Sequence, residues 1–185
     1  MVSKGPHSEK VVKLANKINA SCVIGNQDYQ LLDRMGYMQT EYNFVRQPVR
    51  QGELVLEEDE ELAMAMGFSK KAAQWLLQCP LILQIGDILD GQEFVAVHAG
   101  LFPGIKLEEQ GISCHLKAKA DPWAIMNIRN IYEDKASRET NKGEAWAEVW
   151  NKDQNDKSKP VTIVYGHDAR RVHSLGSKLM VGTTT

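Results

Sequence analysis

The sequence has no apolar run long enough to span a bilayer and no secretory h-region, so it argues for neither a membrane segment nor an exported precursor. Cysteine is scarce. Cys22, Cys79 and Cys114 are odd in number and show no C-x-x-C spacing, which predicts reduced, mostly buried thiols in a cytosol-like environment. An excess of positive charge is lacking too. Twenty-two Lys and Arg face 24 Asp and Glu, a formal net charge of −2, and nothing in this balance suggests a nucleic-acid-binding patch. Internal repeats and low-complexity linkers are absent. What remains is an ordinary globular balance, 43% hydrophobic and 25% charged, in 185 residues, enough for one domain with a sizeable core.

Both ends depart from a usual domain. Met-Val-Ser-Lys-Gly-Pro leads straight into a helical pattern at Val11, Val12, Leu14, Ala15 and Ile18, and "SLGSKLMVGTTT" closes the chain with little apolar periodicity. In between, the pattern predicts a helix over 8–19 capped by Ser8, a strand over 21–25 and a helix over 27–38 ending near Gly36. The acidic stretch "EEDEELAMAMG" at 57–67 reads as a helix whose carboxylates suit its N-terminal dipole; a solvated face is the plainer reading than a partner surface. Residues 69–78 read as a helix burying Trp75, Leu76 and Leu77. Two apolar runs around Asp90-Gly91 predict a β-hairpin, 122–133 and 143–151 predict helices, and "VTIVY" at 161–165 predicts a buried strand. Helices between apolar strands make an α/β or α+β sandwich.

Three of these strands lead into a metal-competent side chain: Asn26 after "CVIG", His98 after "FVAV" and His167 after "IVYG". Strand ends of an α/β sheet converge on one edge, where ligand sites lie. Imidazole and amide oxygen suit a borderline divalent ion such as Zn, Mn or Fe. A single histidine at a strand end is more often structural, and Asn26 alone is a turn residue; the inference rests on the set.

"GNQD", "VHAGLFPG" and "YGHDA", in this order, resemble the later motifs of the calcineurin-like metallophosphoesterases. More closely, the chain resembles the diadenosine-tetraphosphatase-like (ApaH-like) branch of the phosphoprotein-phosphatase superfamily. "VSKGP", "QWLLQCPLIL", "DPWAIMNIRNI" and "GEAWAEVWN" carry the likeness from Val2 to about Arg171. The resemblance implies a four-layer α/β/β/α sandwich and two divalent metals bridged by an aspartate and a water. It implies hydrolysis of phosphoanhydride or phosphate ester bonds in dinucleoside polyphosphates, capped RNA ends, polyphosphate, phosphorylated small molecules or phosphoproteins. Carried over by position, Asn26, His98 and His167 match ligands of the second metal, Lys4 a phosphate contact, and Arg129 a weaker second phosphate clamp whose plain alternative is a surface arginine on a helix.

The family's first motif, Gly-Asp-x-His-Gly, and the bridging Asp have no counterpart in this sequence, and "GDILDG" with Asp87 and Asp90 reads as part of the hairpin rather than a substitute. Gln27 stands where the family has a histidine, and a glutamine cannot act as an acid near neutral pH. The expectation is a partial phosphoesterase domain over 1–171, truncated at its N-terminus, with a divergent tail over 172–185 that leaves the C-terminus incomplete as well. Its metal binding should be weak and its turnover near background. The compartment expected from thiol usage is cytoplasmic, or a vacuole if an N-terminal anchor is missing. A degenerate, non-catalytic binding or regulatory module is the competing expectation.

Overall fold

The computed structural model describes residues 2, 5–37, 67–89, 92–110, 122–155, 157–168 and 179–181. It forms two compact units, Met1–Cys79 and Pro80–Thr185. Among the described residues no helix is long and apolar enough to cross a membrane.

The first unit carries α1 (Ser8–Lys17), α2 (Asn26–Arg34) and α3 (Lys70–Leu76), with α1 packed on α3. Helix α1 starts one residue earlier than a Ser8 cap requires. His7 occupies the cap position, and the Ser8 hydroxyl instead donates to the Gly5 carbonyl at 3.3 Å. Ser69 does cap α3, accepting from Ala72 N. Trp75 and Leu76 are buried as expected, but Leu77 is 40% exposed, because the helix ends there and the chain turns away. Helix α2 stops before Gly36, whose φ of +76° suits a glycine after a helix end. The acidic helix expected over 57–67 lies, apart from Gly67, outside the described residues.

Two expectations fail in this unit. Residues 21–25 form no strand; the segment is extended and irregular, and no neighbouring strand pairs with it among the described residues. Nor are Cys22 and Cys79 free thiols. They form a disulfide with Cα atoms 5.2 Å apart, within bonding reach. Spacing rules do not find such a bond, because its partners are 57 residues apart and meet only once α3 has folded back. Cys114 lies outside the described residues.

Among the described residues the second unit holds two sheets. The larger has strand order β1-β2-β6-β7, built from β1 (Ile82–Leu89), β2 (Gln92–Val97), β6 (Val161–Tyr165) and β7 (Leu179–Val181). The expected hairpin is present as the antiparallel β1–β2 pair, with Asp87 inside β1 opposite Glu93. Strands β2 and β6 pair in parallel, from Glu93↔Val161 to Ala96↔Val164. Strand β7 extends the sheet in parallel from a segment in which the sequence pattern showed no strand. The smaller sheet, order β4-β3-β5, uses β3 (Asn130–Tyr132), β4 (Lys135–Ser137) and β5 (Glu144–Ala145).

The helices of this unit are shorter or later than the pattern implied. Helix α4 covers Pro122–Asn127, not 122–133, because Asn130–Tyr132 turns into β3. The β3–β4 turn is made by Glu133 and Asp134 in the left-handed region, φ 49° and 57°, with no glycine to announce it. Helix α5 runs Trp146–Asn155. Gln154, 1% exposed, accepts from Val161 N at 3.0 Å and so fixes the end of α5 to the start of β6.

The core of this unit gathers Val95, Val97, Leu101, Phe102, Ile125, Ile128, Trp146, Trp150 and Ile163 between the strands and α4 and α5. Trp146 stacks edge-on against Tyr165, centroids 4.7 Å apart. The same indole lies against Gly100, where an added Cβ would fall 2.4 Å from a ring carbon. This contact explains the glycine in "VHAGL": only a residue without a side chain lets the turn after β2 lie on Trp146.

Candidate functional site

The residues singled out by sequence fall into both units, and each group has its own local logic. Asn26 and Gln27 are the first two residues of α2, both half-buried. They do not follow a strand. Their position is fixed instead by Asp28, which is 2% exposed. Its two carboxylate oxygens accept from Val2 N at 3.0 Å and from Gly25 N at 3.1 Å. Gly25 has no side-chain oxygen, so only the carboxylate half of a capping box is made. Asp28 thus ties the chain start, the extended segment and the helix into one node. Alanine at position 28 leaves two backbone donors without acceptors, at about 1–3 kcal/mol each. The Asp28→Ala protein is therefore expected to unfold at distinctly lower urea than wild type, with Asp28→Asn in between, read by tryptophan fluorescence. Lys4 lies outside the described residues.

In the second unit, His98 and His167 meet. Their strands are parallel neighbours, so the C-terminal ends of β2 and β6 coincide. Gly166 N donates to the His98 carbonyl at 2.9 Å, continuing the ladder one step past the strands. His167 Nδ1 then lies 3.2 Å from His98 Nε2, with the rings edge-on at 5.1 Å. The reach is made by an unusual backbone. His167 has φ +69°, and Asp168 N donates back to Gly166 O at 2.9 Å, closing a three-residue turn around the histidine. A non-glycine residue held left-handed costs on the order of 1–3 kcal/mol, and such strain persists where the surroundings fix it.

Arg129 joins this edge by a different route. Ala99 N and Gly100 N both donate to the Ile125 carbonyl, at 3.0 and 3.3 Å, which pins the end of α4 to the turn after His98. Arg129 comes two residues after the end of α4 and immediately before β3, not on a helix surface. Its Nη1 donates to the Arg138 carbonyl at 3.0 Å, and its Nε lies 3.9 Å from Asp168 Oδ1. The order His98, His167, Asp168, Arg129 is therefore continuous in space. Sequence reasoning missed Asp168, although it stands next to His167 in "YGHDA".

The pair suits a borderline metal ion in one respect. Two nitrogens about 2.1 Å from one ion sit about 3.0–3.4 Å apart in octahedral or tetrahedral geometry, and the two imidazoles already stand 3.2 Å apart. Among the described residues no group of three or more His, Cys, Asp or Glu converges to hold a metal, so this edge offers two ligands of that kind. The hollow of about 420 Å³ on α1 and α3 is a different place. It is lined by Val12, Lys13, Asn16, Lys17, Lys71 and Ala72, a lysine-rimmed helix face that holds none of the motif residues.

No family model matches the chain, and no curated protein matches it. Among solved structures, it is similar to a crystal structure of a protein assigned as a diadenosine tetraphosphatase. The TM-score is 0.66 at 24% identity, over 97% of this chain and 65% of that one. The likeness is one of fold: mixed α/β, spanning about two thirds of the matched chain's length.

Proposed function

We propose that the chain is a phosphatase-fold protein of the diadenosine-tetraphosphatase-like class, with its phosphoryl site at the edge formed by His98 and His167. The observation that carries this reading is the meeting of two imidazoles at the C-terminal ends of parallel neighbouring strands, 3.2 Å apart. The similar solved structure and the ordered motifs "GNQD", "VHAGLFPG" and "YGHDA" support it from independent directions. In this reading the fold is the four-layer α/β/β/α sandwich of that class.

His98 and His167 would hold one divalent ion, Zn, Mn or Fe, through the two facing nitrogens. A bound divalent ion supplies positive charge that polarises a phosphoryl oxygen. Both facing nitrogens would then present lone pairs, each imidazole carrying its proton on its other ring nitrogen. Arg129 would receive phosphate oxygens in the bidentate manner a guanidinium favours. The substrates of the class are phosphorylated: dinucleoside polyphosphates, polyphosphate, phosphoproteins or small phosphorylated molecules.

Gln27 favours a second form of the same reading, a phosphate-binding module without turnover. A glutamine can donate a hydrogen bond to a leaving oxygen but cannot protonate it, and loss of a general acid typically costs about 10²–10⁴-fold in rate. The test is calorimetric titration with Zn²⁺ alongside hydrolysis of diadenosine tetraphosphate. Wild type is expected to bind Zn²⁺, and His98→Ala or His167→Ala should weaken it about tenfold or more, 1.4 kcal/mol per factor of ten. Binding that ignores both substitutions would sink the metal assignment. Metal-dependent turnover well above background would instead favour the enzyme over the binding module, and Gln27→His should then raise it.

A further inference from the structure

We propose that Asp168 is a positioning residue for the anion site, acting by aiming the Arg129 guanidinium. The proposal rests on the phosphoryl-site reading above and adds to it the group that makes Arg129 usable.

An arginine side chain has about 2 kcal/mol of rotamer freedom, which a phosphate must freeze on binding unless the protein has done so first. Arg129 is held from two sides. The Arg138 carbonyl takes Nη1, and the Asp168 carboxylate faces Nε at 3.9 Å. These contacts differ in kind. The first anchors the guanidinium to the backbone beyond β4, and the second turns it toward the residue that follows His167. The backbone of Arg129 is equally fixed: its N donates to Ser137 O at 2.8 Å and its carbonyl accepts from Trp146 N at 3.1 Å. Only the side-chain direction is left to be set, and Asp168 completes what the Arg138 carbonyl begins.

The carboxylate is suited to this. Its side chain is 11% exposed against 30% for Arg129, so the pair is less screened than a surface ion pair. The left-handed turn at His167 delivers both side chains at once, because the same backbone kink that brings His167 to His98 places Asp168 beside Arg129. One strained residue thus sets the imidazole pair and the guanidinium together. A plain stabilising ion pair would need no such coupling to the histidine edge.

The experiment uses the full chain, loaded with Zn²⁺, and inorganic phosphate as the probe. Phosphate affinity is measured by calorimetry for wild type, Arg129→Ala, Asp168→Asn and the double variant. Asp168→Asn keeps the shape and removes the charge. It should weaken phosphate about tenfold, close to Arg129→Ala, and the double variant should be no weaker than Arg129→Ala alone, since both changes remove one interaction. Zn²⁺ affinity and the urea midpoint should stay near wild type, which a merely structural role would not allow. Asp168→Glu should recover part of the phosphate affinity. Phosphate binding unchanged in Asp168→Asn, or losses in phosphate, zinc and stability running in parallel, would overturn the proposal. If wild type takes neither zinc nor phosphate, the phosphoryl-site reading fails on its own. The aiming is then decided by the order of the Arg129 side chain, read by 15Nε relaxation, which should be high in wild type and lower in Asp168→Asn. An equally mobile side chain in wild type overturns it.

Discussion

Reduction of the Cys22–Cys79 bond is expected to cost the first unit about 4 kcal/mol of stability. The bond closes a loop across a separation of 57 residues, and the chain-entropy relation for a loop of that size gives about this value. The effect acts mainly on the unfolded chain, which the bond keeps compact. It has a native-state side as well. The extended segment 21–25 pairs with no strand among the described residues, so its path into α2 is held by Cys22 at one end and by the Gly25–Asp28 hydrogen bond at the other. The expected result is a large downward shift of the urea midpoint in dithiothreitol, reproduced by Cys22→Ser without reductant. A Cys22→Ser/Cys79→Ser protein should then be insensitive to dithiothreitol. A wild-type midpoint that does not move on reduction, with the thiols shown free by mass, would contradict the loop argument.

The second large effect is expected at Gly100. An alanine Cβ there would lie 2.4 Å from Cε2 and 2.7 Å from Cδ2 of Trp146. These are atoms of a rigid ring that is 2% exposed and stacked on Tyr165, so the ring has nowhere to swing. Overpacking of this kind costs typically about 1–3 kcal/mol, and the absence of a flexible neighbour puts Gly100→Ala at the upper end. Because Ala99 N and Gly100 N also fix the end of α4, the displacement should reach His98 and Arg129 and weaken zinc binding together with stability. Gly104→Ala is the control. It has φ +77° but nothing within 4 Å of an added Cβ, so it meets only the conformational cost of the left-handed region, about 1–2 kcal/mol. If the two variants unfold at the same urea concentration, the wedge against Trp146 is not what the glycine is for.

How much of this was legible in the sequence depended on whether a feature was local. The β1–β2 hairpin, β6 and the starts of α1 and α3 follow from apolar spacing and turn residues within a few positions. The His98–His167 pair was legible as two motifs, "VHAG" and "YGHD"; the parallel register that joins them was not written in either. The Cys22–Cys79 bond contradicts the expected free thiols, because pairing across 57 residues leaves no local signature. Residues 128–133 read as helix because "NIRNIY" continues the apolar period of α4, and only the turn at Glu133-Asp134, with both residues at positive φ, makes it a strand. Asp168 was passed over because its role comes from Arg129, 39 positions away (168 − 129).

The parallel pairing of β2 with β6 also orders events in time. Glu93 finds its partner Val161 68 residues later (161 − 93), whereas β1 and β2 have only two residues between them in the sequence. Local contacts close in microseconds and distant ones wait on loop entropy. On the ribosome, the hairpin can form while the rest is still being made, but the imidazole edge cannot exist until the chain beyond Asp168 has emerged. Refolding followed by pulsed hydrogen exchange should protect β1 and β2 amides before those of β6, and zinc should bind only in the later phase.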